Sequence, residues 1–244
     1  MKKITAFLAA LAAAAILPLH AQLGPDSIKA ELHKKLPDAP EIESVRKIPY
    51  SNLYEVVVNG GEIIYTDDKA SFIVVGPLID LNTKTNVTDQ RMSQINAIDF
   101  KSLPLDRAIK IVRGNGSRKI ALFEDPNCGY CKRFERDFQG VTDVTAYVFL
   151  YPILAPSSVD KSKAIWCSAD PGKAWIDTMV HDRLPQTAGK CEAPLEKNLA
   201  YGQAKHIRGT PTLIFEDGER LPGAVSMPEL EKRFAEAKAK LAAK

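Results

Sequence analysis

Two cysteines three positions apart, Cys128 and Cys131, are the residues of this sequence best suited to chemistry. They enclose Gly129 and Tyr130, follow an apolar stretch that predicts a buried strand, and begin a segment with helical spacing. At the start of a helix, unpaired N–H groups and the positive end of the helix dipole favour a thiolate over a thiol. The pattern therefore predicts a redox dithiol in which Cys128 is the nucleophile and Cys131 resolves the mixed disulfide.

A Cys-x-x-Cys pair also occurs in zinc sites, in c-type haem sites and as a plain disulfide. Zinc would need a second close pair, whereas the other cysteines, Cys167 and Cys191, are 24 residues apart, so we expect no metal. Haem attachment would need a histidine where Lys132 stands. A permanent disulfide in so short a loop would be strained and oxidising, which again indicates redox activity.

The distant pair, Cys167 and Cys191, has the pattern of a structural disulfide. Both residues flank turn-forming residues within a region of helical spacing. Closing that loop would stabilise the protein by roughly 3 kcal/mol in the chain-entropy model. A second redox pair is the alternative, although neither cysteine clearly stands at a helix N-terminus.

A proline precedes a predicted core strand in the segment Gly209-Thr210-Pro211-Thr212. A cis Thr210–Pro211 bond would turn the backbone and leave the N–H and C=O of Thr210 free to pair with an extended peptide. Taken alone, these residues favour an ordinary trans proline in a loop.

The composition is that of an ordinary globular protein. Of 244 residues, 45% are hydrophobic, and 33 Lys and Arg face 30 Asp and Glu. The net charge of +3 gives no strong field for nucleic acid, so we expect no nucleic-acid partner. Four cysteines are too few for a small disulfide-dense scaffold.

The first residues have the pattern of a secretory signal peptide. Met1-Lys2-Lys3 is basic, the segment from Ile4 to Leu19 carries no charge, and Ala21 marks the expected cleavage site. The uncharged segment is shorter than the roughly 20 residues that span a bilayer, which disfavours a membrane anchor. We expect residues 1–21 to be removed on export to a compartment where disulfides persist.

Residues 22–85 predict a small unit of one helix and several strands. Strands at 53–58 and 62–65 flank Asn59-Gly60-Gly61, which supplies the positive φ of a tight hairpin turn, and a third strand follows at 72–75. Such a unit leaves strand edges open, and a second copy would cover them, so we expect a dimerisation module. A linker helix over 86–105 follows, with Thr88 as N-cap and Pro104 as its end.

Residues 106–244 alternate strands and helices. Strands at 108–112 and 119–123 predict a hairpin, and a helix follows the dithiol. The remaining elements are a strand at 144–149, a helical block at about 155–206, a strand at 213–215 and a helix at 227–240. This order predicts an α/β domain with a helical insertion.

Several short motifs keep a distinctive order and spacing along the chain: Ile63-Ile64-Tyr65-Thr66-Asp67-Asp68, Gly76-Pro77, Asn86-Val87-Thr88, Cys128-Gly129-Tyr130-Cys131, Lys163-Ala164-Ile165-Trp166-Cys167 and Gly209-Thr210-Pro211. Together they resemble the DsbC/DsbG family of periplasmic disulfide isomerases, in the thioredoxin superfamily. The resemblance implies a thioredoxin-like fold with an inserted helical subdomain. It also implies a preceding small α+β, cystatin-like dimerisation domain and a linker helix.

The same resemblance assigns roles to the residues that match the family's motifs. Cys128 would attack and Cys131 would resolve, and Cys167 and Cys191 would form the family's structural disulfide. The residues implied for the substrate groove are Gly129, Tyr130, Thr210 and Pro211, the last in a cis peptide. A homodimer, misoxidised exported proteins as substrates, chaperone-like holding and a membrane reductant resembling DsbD are also implied, and no cofactor is expected.

The sequence departs from related patterns near the dithiol. Leu122 stands where thioredoxin and the oxidase DsbA carry a buried acid, which leaves Glu124, Lys119 or water as partners for the Cys131 proton.

Two cations also lie close to the dithiol in sequence. Lys132 follows the motif directly and Arg208 precedes Gly209, so both are candidates to favour the Cys128 thiolate. The alternative is that both are solvated charges without such a role.

The predicted function is isomerisation of non-native disulfides in exported proteins. A specialised reductase, an oxidase and a holdase chaperone with an incidental dithiol are the alternatives. The strand-rich N-terminal unit disfavours a monomeric oxidase, which needs no such domain.

Overall fold

A computed structural model describes residues 24–59, 61–186 and 191–243. The predicted signal peptide, residues 1–21, therefore lies outside the described residues. The chain divides into two compact units that meet in sequence at Gly76 and Pro77. Across the described residues, no helix combines the length and hydropathy needed to cross a membrane.

The first unit is a helix packed on a four-stranded antiparallel sheet. Its elements are α1 (Pro25–Lys35), β1 (Ile42–Lys47), β2 (Tyr54–Val58), β3 (Glu62–Thr66) and β4 (Ile73–Val75), with the strands in sequential order. Ile28 and Leu32 of α1 pack against Tyr54, Val56 and Val58 of the sheet. The predicted hairpin is β2 and β3. Strand β1 was not predicted individually, because most of its side chains are polar and exposed.

The second unit begins with a segment that the linker-helix prediction describes only in part. It contains a two-stranded hairpin, β5 (Ile79–Asp80) and β6 (Thr85–Asn86), followed by α2 (Val87–Ile95). The predicted N-cap was wrong: the Asn86 side chain accepts from Asp89 N, while Thr88 Oγ1 accepts from Leu78 N at 2.8 Å.

The helix also ends well before Pro104. Two 3₁₀ turns, Phe100–Ser102 and Leu105–Arg107, follow it. Beyond α2, the side chains of Ile98, Phe100 and Leu103 are buried in the core of the second unit. The chain leaves the helical path because these three apolar side chains gain more from burial there than from solvent exposure along a longer helix.

The remaining elements form a five-stranded mixed sheet flanked by helices. They are β7 (Ile109–Arg113), β8 (Arg118–Glu124), α3 (Gly129–Phe138), β9 (Val144–Leu150), α4 (Pro156–Trp166), α5 (Pro171–His181), α6 (Leu195–Ala204), β10 (Thr212–Phe215), β11 (Arg220–Pro222) and α7 (Met227–Ala242). The strand order is β11-β10-β8-β9-β7, and only β8 and β9 are parallel. Helices α4, α5 and α6 form the predicted helical block.

The predicted hairpin between residues 108–112 and 119–123 was wrong, because β9 lies between these two strands. From Ile120 to Glu124 every residue of β8 is buried, so this strand takes a central position with partners on both sides. Strand β9 is equally apolar and reaches β8 through the α3 crossover. The half-exposed β7 is left at the edge of the sheet.

Alternation along β8 divides the core of this unit between two faces of the sheet. Ile120 and Leu122 belong to the cluster that includes side chains of α3, α5 and α7. Ala121 and Phe123 belong to the other cluster, with Phe149 and residues of the 98–103 segment. The strand that leads to the dithiol is thus anchored on both faces.

Candidate active site

Asp125 holds the turn that carries the chain from β8 to α3. Its backbone C=O accepts from Cys128 N at 2.9 Å. Its buried carboxylate accepts from Asn127 N at 2.7 Å and from Leu154 N at 2.9 Å. These bonds fix the turn so that Cys128 stands at the N-cap of α3.

Cys128 Sγ lies among hydrogen-bonding groups that favour its thiolate. Cys131 N donates to this sulfur at 3.1 Å, a bond that favours the thiolate. In its thiol form the sulfur also donates to Thr210 O, 3.3 Å away, a bond that is lost on ionisation. The Cys131 thiol is the main cause that lowers the pKa of Cys128, to about 6, and burial opposes this shift. The Thr210 side chain and the N–H groups of Cys131 and Tyr130 lower the pKa further. At pH 7 Cys128 is therefore mostly thiolate.

The cations singled out in the sequence are not among the main causes of this low pKa. Lys132 Nζ pairs with Asp182, the C-cap residue of α5. Arg208 is exposed and lies near Arg220, whose pKa is lowered first by burial and then by Arg208. The thiolate is thus stabilised by the helix start and its neighbours, and not mainly by Lys132 or Arg208.

Cys131 is fully buried, and burial raises its pKa far above the ordinary value for a thiol. The two sulfurs therefore differ sharply: Cys128 is the thiolate, and Cys131 stays a thiol. They are unbonded to each other in this structure.

Two buried carboxyls accompany Cys131. Burial first, and then the neighbouring Glu135, raises the pKa of Glu124 well above its usual range. Lys119 does not lie with them, because its Nζ pairs with Glu216 at 3.0 Å on the surface. Sequence reasoning named Glu124 as one of three candidates, but it missed Glu135. The four-residue spacing from Cys131 to Glu135 could have indicated it, since such pairs share a helix face.

The Thr210–Pro211 peptide is cis. The Thr210 carbonyl faces Cys128, so it is not left free as the sequence suggested. Pro211 O accepts from Gly223 N at 2.7 Å, and Thr212 Oγ1 donates to Gly209 O at 2.8 Å, which ties this loop to β11 and to itself.

Apolar surface lies on the segments next to Cys128. Tyr130 is 66% exposed, with the Arg133 guanidinium 5.9 Å from its ring centre. Apart from its chain neighbours and the backbone of its own helix, no described residue has an atom within 4 Å of a Cβ built at Gly129. Ile153 and Leu154, in the loop that Asp125 anchors, are also exposed.

Cys167 and Cys191 form a disulfide, with their Cα atoms 5.6 Å apart. The bond ties the C-terminal end of α4 to the segment that precedes α6. The pairing expected from the sequence is thus present.

Comparison with known proteins agrees with this architecture. Residues 105–238 match the model of a thioredoxin-like domain, and residues 9–89 match that of a disulfide bond isomerase protein N-terminal domain. A probable thiol:disulfide interchange protein DsbC of Bordetella parapertussis is 44% identical over 209 residues, which cover 86% of this chain and 74% of the relative. This chain belongs to the DsbC family.

Other similarities extend this assignment. The thiol:disulfide interchange protein DsbC of Escherichia coli K12 is 26% identical over 199 residues, covering 77% of this chain and 79% of that one. The crystal structure of a disulfide interchange protein from Neisseria gonorrhoeae is 41% identical, with a TM-score of 0.54, and covers 55% of this chain and 98% of its own. As a DsbC-family member, the protein is an enzyme of thiol–disulfide exchange with a thioredoxin-like fold.

Proposed function

We propose that this enzyme is a periplasmic disulfide isomerase, with Cys128 as nucleophile and Cys131 as resolving cysteine. The contrast between the two sulfurs carries the proposal: one is a hydrogen-bonded thiolate with a pKa of about 6, and the other is a buried thiol. The match to an isomerase N-terminal domain supports it, and the signal-peptide pattern of residues 1–21 supports export to the periplasm.

The reaction begins when the Cys128 thiolate attacks one sulfur of a non-native disulfide. That S–S bond breaks, a mixed disulfide forms at Cys128, and the other substrate sulfur leaves as a thiolate. A different substrate thiolate then attacks the substrate sulfur of the mixed disulfide, which forms the new bond and releases Cys128. This route has no net oxidation, and it benefits from the low pKa of Cys128, which makes that sulfur a good leaving group.

Reduction is the second outcome of the same intermediate. If no substrate thiolate attacks, Cys131 attacks Cys128 Sγ, the substrate is released reduced, and a Cys128–Cys131 disulfide remains. A dithiol donor, such as a membrane reductant resembling DsbD, must then return the enzyme to its reduced form. A dedicated reductase is therefore the alternative function.

Substrate chains would lie along the surface formed by Gly129, Tyr130 and Thr210, next to Pro211, which is itself buried. The exposed side chains of Tyr130 and Leu154 offer apolar contacts without sequence preference. These contacts also suit chaperone-like holding of chains whose apolar residues are still exposed.

Refolding of a scrambled multi-disulfide protein tests the proposal. We expect Cys128→Ala to abolish isomerisation, and Cys131→Ala to accumulate mixed disulfides through Cys128. The matched control replaces Cys167 and Cys191 together with alanine, which should retain isomerisation while losing roughly 3 kcal/mol of stability.

Full activity of Cys128→Ala would refute the role of the dithiol and favour a holdase. Identification of the chains trapped by Cys131→Ala in cells separates the remaining functions. Many multi-cysteine exported proteins indicate an isomerase, and one dominant partner indicates a dedicated reductase.

A further inference from the structure

The resolving cysteine has to lose a proton although its side chain has no contact with bulk solvent. Cys131 is 0% exposed, and its burial strongly favours the thiol. A thiol is a poor nucleophile, so attack on the mixed disulfide requires a proton acceptor inside the protein.

Glu124 is the carboxyl placed to serve as that acceptor. It ends β8, is 0% exposed, and neither of its carboxylate oxygens has a hydrogen-bond partner among the described residues. The Cys131 thiol and the Glu135 carboxyl nevertheless lie close enough to interact with it. A buried carboxyl without a bonding partner destabilises a fold, so its presence beside a buried thiol points to chemistry.

Glu135 is held beside this carboxyl by neighbours on two other elements. It lies one turn after Cys131 on α3, and it is 1% exposed. Its Oε1 accepts from Trp175 Nε1 of α5 at 2.9 Å, and its Oε2 is 3.9 Å from the Arg113 guanidinium of β7. The Arg113 side chain is 17% exposed, so the cluster extends from Cys131 toward the surface.

We propose that Glu124 accepts the proton of Cys131 during the resolving step and that Glu135 positions Glu124 and tunes its proton affinity. This inference rests on the proposed roles of Cys128 and Cys131. Glu124 is thereby a catalytic residue, and Glu135 a positioning residue.

The step balances in atoms and electrons. The Cys131 S–H bond breaks and its proton passes to Glu124, while the Cys131 sulfur bonds to Cys128 Sγ. The bond between Cys128 and the substrate sulfur breaks, and the substrate thiolate takes a proton from solvent. The two cysteines lose two electrons, and the original substrate disulfide has gained two.

The charge on Cys128 affects the stage at which Glu124 can accept this proton. The negative charge on Cys128 is one of the causes that raise the pKa of Glu124, after burial and Glu135. When Cys128 enters the mixed disulfide that charge disappears, so Glu124 ionises more readily at the stage when a base is needed. Burial and Glu135 still keep the pKa of Glu124 elevated at this stage. The proton affinity of Glu124 is therefore closer to that of the Cys131 thiol, which favours proton transfer between them.

A bis-nitrobenzoate disulfide separates the two steps, because each releases one coloured thiolate. The first release reports attack by Cys128, and the second reports resolution by Cys131. In stopped-flow measurements on the full chain, we expect Glu124→Gln to slow the second release on the order of 100-fold at pH 7. Its pH profile should move to higher pH, where Cys131 must ionise without the carboxyl.

Two further substitutions, one at each glutamate, test the separate roles of Glu124 and Glu135. Glu124→Asp keeps a carboxyl and should recover part of the second release. Glu135→Gln should move the pH profile of that release to lower pH, because Glu135 raises the pKa of Glu124. The matched control is Glu192→Gln, an exposed residue outside the site, which should alter neither release.

The inference fails if the Glu124→Gln variant shows the second release at the wild-type rate and with the wild-type pH profile. It also fails if both releases slow equally, or if the rate falls without a change in pH profile, since either result indicates a structural role. Thermal unfolding followed by circular dichroism confirms that each variant is folded. Loss of the first release in Cys128→Ala tests the proposed function separately, so the two failures are distinguishable.

Discussion

The difference in protonation between Cys128 and Cys131 arises within a single turn at the start of α3. Cys128 receives hydrogen bonds at the start of α3, whereas Cys131, three residues later, is enclosed by the core. The same short segment therefore produces a thiolate and a protected thiol, with hydrogen bonds and burial as the main causes.

Alkylation of Cys128 as a function of pH measures this directly. We expect a midpoint near pH 6, and we expect the same curve for Arg208→Ala, because hydrogen bonds and not Arg208 are the main stabilising causes. A midpoint raised toward 8.5 in the Arg208 variant would show that this cation supports the thiolate after all.

The depressed pKa of Cys128 also makes the stability of the reduced protein depend on pH. Between about pH 6 and pH 8 the unfolded chain holds the Cys128 proton and the folded chain does not, so stability should rise with pH. That stability is lost as the pH falls through about 6.

Urea unfolding of the reduced protein at a series of pH values measures the slope. In Cys128→Ser the additional rise in stability should vanish, while the contributions of groups remote from the dithiol should remain. An identical pH dependence in the two proteins would contradict the low pKa.

At the level of elements, the sequence predicts best what depends on neighbours in the chain. The strand, turn and helix around Cys128 follow from local spacing, as does the pairing of β2 with β3. The placement of β9 between β7 and β8 depends on which strand is buried on both faces, and that depends on distant helices. Sequence reasoning named Glu124 but missed its pairing with Glu135 for the same reason, because the two residues meet only when β8 and α3 pack together.

The turn between β8 and α3 should depend on the Asp125 carboxylate. Asp125→Ala removes the acceptor for the N–H groups of Asn127 and Leu154, and we expect a loss of about 2 kcal/mol in urea unfolding. The pKa of Cys128 should rise as well, because the cap geometry loosens.

Asp170→Ala provides the comparison for this variant. Asp170 caps α5 by accepting from Lys173 N at 2.9 Å, so its loss should cost about 1 kcal/mol and leave the Cys128 titration unchanged. If Asp125→Ala also leaves that titration unchanged, the turn does not set the thiolate pKa.

For the whole molecule, we propose that a second copy covers the open edge of the N-terminal sheet. Strand β4 has one partner, β3, within the described residues, and its side chains Ile73, Val74 and Val75 are all exposed. An edge strand with apolar residues on both faces is prone to pair with another chain. This observation supports a homodimer formed through the first unit, as the sequence suggested.

Val75→Lys tests this arrangement in the full chain. The Val75 side chain is 76% exposed, so lysine should fit the monomer, while a charge on the edge opposes pairing with a second copy. We expect wild-type protein to sediment as a dimer and the variant to shift toward monomer, with unchanged alkylation of Cys128. A variant that remains fully dimeric would place the interface elsewhere.

Because Cys131 is buried, chemical labelling of its sulfur reports how often the surrounding domain opens. Its sulfur lies in the cluster that joins the sheet to α3, α5 and α7, so a labelling reagent reaches it only when that packing is disrupted. In a Cys128→Ser background, the labelling rate of this second sulfur would follow how often the domain opens. The labelling rate of the resolving cysteine, Cys131, would thereby also measure the local stability of the catalytic domain.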